Sequence, residues 1–516
     1  MEKALDAISK GGVIALVGGV VGRGLGFLNR AVIAKFFGPE GLGLFVLGLM
    51  WVTIIRTLST GGFVPALKKF VPLHLTNDDG KKLRDTVLTI FTISLLISIT
   101  GGILLFTFSR FIAVQIFNSE NLAPILKVMA FVIPLRTLFR LVLHLYLAFE
   151  KPKYKVLFEV GMYALFLPII IFIVFFQWGV FGLSLGHLVR ILLILVISLV
   201  IFEKKVYPIF KKKIKADRKI DLKIKSILDY SLPLVFSAAL IMIMGKADTF
   251  MLGYFKTEEL VGIYNLVLPI ASLLTIFLAS MNQVFFPVIS SLHAEKKFNE
   301  LASTFSTITR WNILLLMPFF FFVVVFSRPL LAAFFPQYVD GWRTLIILAV
   351  GYMSGSIVGP VGKTLKTYGK TTFIFKINSM LLILNILLNF ILIPIWGLEG
   401  AAVATAAAYA LNNILERWKV SKLVSLSPDF SALQKYAVAA LLPVSWTYAV
   451  LFLLPSSWWL LILLLIGFLV SYLSFLILFN SFLEEDIYLF EIVDMILNKL
   501  RVNVEIKKLY RLGKKE

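Results

Sequence analysis

Stretches of about twenty predominantly apolar residues follow one another along nearly the whole chain, separated by short charged or Gly/Pro-bearing segments. A helix of that length matches the roughly 30 Å hydrocarbon core of a bilayer. Within lipid a spanning segment must satisfy its own backbone polar groups, which a helix does and an open strand does not. The chain is therefore expected to be an all-α integral membrane protein. Composition agrees, with 59% hydrophobic and 16% charged residues in 516, against about 45–50% and 25% in soluble domains. A soluble enzyme is excluded. The absence of cysteine removes disulfides and thiolate metal sites from consideration.

The apolar runs predict fourteen transmembrane helices, near 11–36, 41–66, 85–108, 122–149, 156–176, 180–202, 226–254, 260–292, 301–327, 343–362, 373–395, 400–416, 434–454 and 458–480. Lys3 and Lys10 precede the first, and no small-residue cleavage site followed by soluble sequence appears, so it reads as a retained helix. The net charge of +22 would suggest a nucleic-acid partner in a soluble protein. Its distribution says otherwise. With the amino terminus inside, the inner segments hold 35 Lys and Arg and the outer ones 3, namely Arg110, Lys256 and Arg328. That asymmetry is the positive-inside pattern, with attraction to anionic lipids as its corollary. A multi-pass protein of the cytoplasmic membrane with both termini cytoplasmic is expected, with membrane lipids and no nucleic acid as partners.

The longest inner loop, 203–225, carries ten basic residues and divides six spans from eight. Short motifs repeat across it. Phe108-Ser109-Arg110 returns as Phe326-Ser327-Arg328 and Trp178-Gly179 as Trp396-Gly397, both at an offset of 218. Lys151 returns as Lys370, and Gly43-Leu44-Phe45 as Gly262-Ile263-Tyr264, both at 219. Six spans is an even number, so the two lobes run parallel and are related by a pseudo-twofold axis, a transporter arrangement with its site near the midplane. The expected organisation is a first lobe (1–202), a basic cytoplasmic loop (203–225), a second lobe (226–424), two peripheral C-terminal helices (425–480) and a basic cytoplasmic tail (481–516).

Charges within the spans are the candidates for function, because each costs from about 2.5 to more than 10 kcal/mol at depth. Arg23 and Arg30 are two turns apart on the first span, Arg56 lies in the second, and Arg136, Arg140 and His144 follow at four-residue spacing on the fourth. His187 and Arg190 share a face of the sixth, and Glu159 is the one acid that reads as buried in this lobe. Two readings stay open. The arginines satisfy backbone carbonyls or pair with Glu159, or their surplus faces a water-filled cavity and binds phosphate or pyrophosphate through the planar guanidinium fork. In the second lobe Lys246 and Asp248 are two residues apart, on different faces, among neutral groups such as Asn265, Asn282, Gln283, Asn378, Asn385, Asn389 and Asn412. Asp248 reads equally as a coupling-ion site, an inter-lobe lock or a packing residue. Gly18, Gly19, Gly22, Gly24 and Gly26 suit close packing, and Pro233 and Pro287 suit bends.

Two stretches carry a resemblance. Residues 231–274, with Pro233, Asp248 and Gly262-x-Tyr264, and residues 22–45 resemble the polysaccharide-flippase branch of the multidrug/oligosaccharidyl-lipid/polysaccharide exporter superfamily and its relative, the lipid II flippase. The resemblance implies cavity-facing arginines at Arg23 and Arg56. A second first-helix arginine of that relative falls on Asn29, with Arg30 adjacent. It further implies a flippase for lipid-linked oligosaccharide, working as a monomer beside glycan-assembly enzymes, with no cofactor beyond a coupling Na+ or H+, and no catalytic or metal site. The alternative within the superfamily is a cation-coupled multidrug antiporter, whose site should offer carboxylates. A membrane-embedded glycosyltransferase would need paired acids or metal ligands at a membrane face, and the outer segments are short and poor in acids.

The charge asymmetry makes a direct prediction. In intact cells a single cysteine at Asp217 is protected from an impermeant thiol reagent and one at Asn118 reacts; labelling at Asp217 would invert the topology.

Overall fold

The computed structural model describes residues 2–77, 79–209, 224–424, 430–454, 457–482 and 486, with side chains from Gly18 onward except at 224, 283–284 and 430–432. Most of the basic loop, including Asp217, and nearly all of the tail lie outside the described residues, as does the side chain of Gln283. All regular structure among the described residues is helical. Two compact units are present, residues 1–266 and 267–516. The first thus extends past the basic loop to include the seventh span and the start of the eighth.

Twelve helices among the described residues are long and apolar enough to cross a membrane, against the fourteen expected. The difference is located at two places. The first two spans follow one another without a loop, two helical limbs that break at Gly38 and are labelled together as α1 (Glu2–Thr60). Gly38 takes a left-handed φ of 68°, which glycine adopts without strain, and Pro39 bars it from helical geometry while starting the next limb well. The other is the Ala-rich twelfth, 398–421, which is helical but absent from the apolar set.

In the first unit α1 is followed by α2 (Phe63–Thr76), α3 (Gly80–Thr107), α4 (Leu122–Ala148), α5 (Pro152–Ala164), α6 (Phe166–Phe175) and α7 (Gly179–Lys205). Asp79 caps α3, accepting from the Lys82 amide at 2.9 Å. After the basic loop come α8 (Ile224–Met244), α9 (Ala247–Phe255) and α10 (Glu258–Ser272), within which the unit boundary falls. Helix α4 packs against α1, α2, α3, α5 and α7, so polar residues on it are held deep. Helix α8 runs unbroken through Pro233 and α11 (Ile276–Ala294) through Pro287. The break in the seventh span lies instead at Gly245-Lys246, where Lys246 leaves helical geometry (φ −130°, ψ −7°).

In the second unit α11 is followed by α12 (Phe298–Val325), α13 (Ser327–Phe334), α14 (Trp342–Val358), α15 (Val361–Thr367), α16 (Thr371–Trp396), α17 (Leu398–Ser421), α18 (Phe430–Leu453) and α19 (Trp458–Leu478). Small residues let α17 approach its neighbours: a Cβ on Gly351 of α14 would stand 2.7 Å from Ala406. Helices α18 and α19 pack on each other and on α12. Buried Met317, Tyr436 and Tyr472 join them, and the Tyr472 hydroxyl donates to the Leu314 carbonyl at 2.9 Å.

The repeated motifs occupy like places. Phe108 and Phe326 each terminate a 28-residue helix. Gly179 and Gly397 each take a left-handed turn, with φ of 62° and 58°. Lys151 and Lys370 each stand at a helix N-cap.

Beyond α19, Asp486 is fully buried and accepts from Arg310 Nη2 and Trp311 Nε1 of α12, each at 2.7 Å. Removing one member of a buried pair strands the other charge. Asp486→Ala should destabilise the protein by about 3–5 kcal/mol, read as an earlier thermal transition in detergent. A paired apolar replacement of Arg310 and Asp486 should recover most of it; an unchanged transition in the single variant would contradict the placement.

Candidate functional site

The expected stripe is present on α4, where Arg136, Arg140 and His144 are all partly buried. Arg56, on the second limb of α1, reaches the same region. The limb is joined to α4 by Ser59 and Thr137, whose hydroxyls lie 3.1 Å apart. Arg56 is within electrostatic reach of Arg136 and Arg140, and His144 within reach of Arg56, Arg140, Lys68 and Lys155. Among the described residues no carboxylate stands at ion-pair distance from Arg56, Arg136 or Arg140. Arg56 Nε, Arg140 Nε and His144 Nδ1 also have no hydrogen-bond partner within the protein.

Glu159 does not supply the missing acid. It pairs with Lys155, one turn earlier on α5, and its side chain is 42% exposed. Arg140 feels its field at longer range. The other first-lobe candidates divide. His187 and Arg190 are sealed, 1% and 3% exposed, so they do not face an open cavity. Arg190 lies 3.8 Å over the Phe166 ring and donates to the Met162 carbonyl at 3.3 Å. His187 packs against the rings of Phe45 and Phe166. Its Nδ1 meets Arg190 Nη2 at 2.9 Å and its Nε2 meets Arg136 Nη1 at 3.2 Å. A neutral imidazole accepts at one nitrogen only, so the ring satisfies one guanidinium and leaves the other short of an acceptor. His187 and Arg190 thus form the wall behind Arg136.

Arg30 borders this cluster, with Tyr163 a neighbour of both Arg30 and Arg56. Arg23 is exposed, and Arg30 donates to the Asn265 carbonyl at 3.1 Å. Asn29, in place of the relative's second arginine, donates to the Tyr163 carbonyl at 2.9 Å. Lys246, at the break between α8 and α9, lies in the field of Arg30 and Arg56. Asp248, in the first turn of α9, is buried and accepts from the Tyr264 hydroxyl at 2.7 Å. Asn265 engages Thr249 alongside, its Nδ2 3.2 Å from the hydroxyl.

One residue escaped the sequence reading. Tyr163 is an electrostatic neighbour of Arg30, Arg56 and Arg136, and its ring would stand 3.3 Å from a Cβ on Gly26. The signal was available: Lys155, Glu159 and Tyr163 repeat on α5 the four-residue spacing of the α4 stripe.

The chain is all-helical among its described residues and multi-span, with a deep cluster of cations in its first unit, and the comparisons assign its family. The chain belongs to the polysaccharide biosynthesis protein family, whose profile matches residues 8–293, and the MatE profile matches residues 233–391; it is a member of the multidrug/oligosaccharidyl-lipid/polysaccharide superfamily. Over 219 residues it is 27% identical to the probable low-salt glycan biosynthesis flippase Agl15 of Haloferax volcanii, which covers 42% of this chain and 46% of that protein. The chain thus aligns with about half of that relative's length. Its fold is similar to the lipid II flippase MurJ in an inward closed conformation, with a TM-score of 0.74, 16% identity, and 91% and 99% of the two chains covered. It is also similar to an inward-facing multidrug resistance MATE family transporter, with a TM-score of 0.59, 15% identity, and 82% and 99% covered.

Arginines held together without an acid repel one another, by on the order of 1–2 kcal/mol for a pair at an effective dielectric of about 20. Arg56→Gln should therefore raise the melting temperature in buffer free of multivalent anions. The stabilisation that pyrophosphate gives the parent should shrink in the variant. A variant less stable than the parent and equally responsive to pyrophosphate would show that Arg56 is a packing residue.

Proposed function

We propose that the chain is a flippase for lipid-linked oligosaccharide, a glycan on a polyprenyl or dolichyl phosphate or pyrophosphate. It works in the cytoplasmic membrane by alternating access between two six-helix lobes, as a monomer beside the enzymes that assemble the glycan. The observation that carries the reading is the group of Arg56, Arg136 and Arg140, deep in the protein and free of ion-paired acid. A phosphate or pyrophosphate supplies the acceptors these guanidinium groups lack, through paired N–H···O bonds. His187 and Arg190 hold Arg136 from behind, and Tyr163 offers a neutral hydroxyl in the same region. The glycan and phosphate occupy the cavity while the lipid tail stays in the bilayer. The like placement of the repeated motifs supports the two-lobe reading, and the name of Agl15 supports a glycan as the cargo.

Outward movement of an anionic headgroup gains about 2.3 kcal/mol per charge per 100 mV of inside-negative potential, which provides a driving force without a coupled ion. Asp248 would repel phosphate, so its work lies in the conformational cycle, as a Na+ or H+ site or as a lock. Lys246, at the helix break, belongs with it. The MatE match over 233–391 favours a second reading, cation-coupled drug antiport. An organic cation, however, would meet arginines at the one deep charged cluster described in the first unit.

The test is transport of a fluorescent lipid-linked glycan in proteoliposomes. Neutralising Arg56, Arg136 and Arg140 together should lower the rate at least about tenfold, as expected for lost charged hydrogen bonds of about 1.5–3 kcal/mol each, with the protein still folded. Asp248→Asn should slow transport and keep headgroup affinity. Normal transport in the triple variant would sink the assignment.

A further inference from the structure

Within the first unit, Gly43 of α1 and Gly262 of α10 meet backbone to backbone. A Cβ on Gly43 would overlap the Glu258 carbonyl and stand 3.1 Å from the Gly262 amide nitrogen. A Cβ on Gly262 would overlap the Pro39 carbonyl and stand 3.0 Å from the Gly43 amide nitrogen. The contact is reciprocal: Pro39 and Gly43 correspond to Glu258 and Gly262 at the repeat offset of 219. Each glycine thus meets the carbonyl that lies one turn before the other.

We propose that this self-complementary glycine contact is the closed outer gate of the transporter, and that transport requires it to part and reseal; the proposal rests on the alternating-access reading above. Three features suit the contact to opening rather than to permanent packing. No side chains interdigitate between the two glycines, so separation unlocks no rotamers. Both partners begin just after a break in helical geometry, at Gly38 (φ 68°) on one side and Lys256 (φ −131°, ψ −138°) on the other, so each first turn can tilt without bending a helix. The fastening beside it is small. Ser119 donates to the Glu258 carboxylate at 3.0 Å, Phe117 and Phe250 meet edge to face at 5.6 Å, and Gly253 admits Leu47 and Phe117. All of these residues lie at or beside the segments assigned to the outer side, where basic residues are scarce. Arg56 lies thirteen residues further along the same limb, about 20 Å deeper at 1.5 Å per residue, so the contact stands between the arginine cluster and the outside.

The absence of cysteine makes the test clean. Thr53→Cys, one turn before Arg56, is the reporter, read with an impermeant maleimide applied outside intact cells. The parent carrying this reporter should be protected. Gly43→Ala and Gly262→Ala should each raise the labelling rate at least about tenfold, because a minor open state of about 0.1–10% becomes dominant. The double variant should add little, since both changes break one contact. Gly24→Ala, with open space around its Cβ, should leave labelling unchanged. Should a glycine variant fail to fold, Ser119→Ala removes only the fastening hydrogen bond and should still raise labelling severalfold. Folded Gly43→Ala whose reporter thiol stays protected, or unchanged labelling in Ser119→Ala, overturns the gate. Labelling needs no cargo, so it stands or falls separately from the transport assay, whose failure would remove the lipid-linked glycan and leave the gate.

Discussion

Charge held in a low dielectric without a counter-charge is the constraint around which the first unit is arranged. A guanidinium group removed from water requires either an acid or a set of neutral acceptors. Here the protein provides partial compensation only. His187 satisfies one of two flanking arginines, the Phe166 face covers Arg190, and Glu159 is taken up by Lys155. The central position of α4 follows from the same demand, since five neighbouring helices keep lipid away from its polar stripe. A fully neutralised site would be more stable and would have nothing to offer an anion.

Much of this was legible in the sequence, for definable reasons. Hydropathy marks a span because its length is set by the bilayer, and the expected gap between the first two spans holds the Gly38 break that separates the two limbs of α1. The four-residue spacing of Arg136, Arg140 and His144 fixed their common face, since helical geometry is local. What the spacing could not fix was occupancy. Glu159 suits Arg140 and Lys155 equally on paper, and side-chain reach on α5 decided for Lys155. His187 and Arg190 share a face as expected, but whether that face looks into a cavity or into a wall depends on Phe45 and Phe166, far away in the chain. Pro233 and Pro287 each lie within a helix that continues through them, whereas the break in the seventh span falls at Gly245-Lys246, an inconspicuous pair.

The two repeats keep their frame and exchange their chemistry. Phe45 and Tyr264 are equivalent positions, two residues after the paired glycines. In the first repeat the ring presses on His187; in the second its added hydroxyl holds Asp248. Asn29 stands where the second repeat has Asp248, and there a neutral amide serves a backbone carbonyl. One hydroxyl and one acid are enough to turn a packing position into a titratable one.

The pairing of Gly43 with Gly262 also bears on descent. A contact in which each position meets its own duplicate is the geometry of a two-fold homodimer. In a pair of identical six-span chains, a single glycine codon would supply both halves of such a contact, and any change would strike both at once. Joined in one chain, the halves mutate separately, yet each glycine lies under the carbonyl one turn before the other. Leu44 and Ile263 beside them differ while the two glycines are alike: one chain carries two positions at which one methyl group is forbidden.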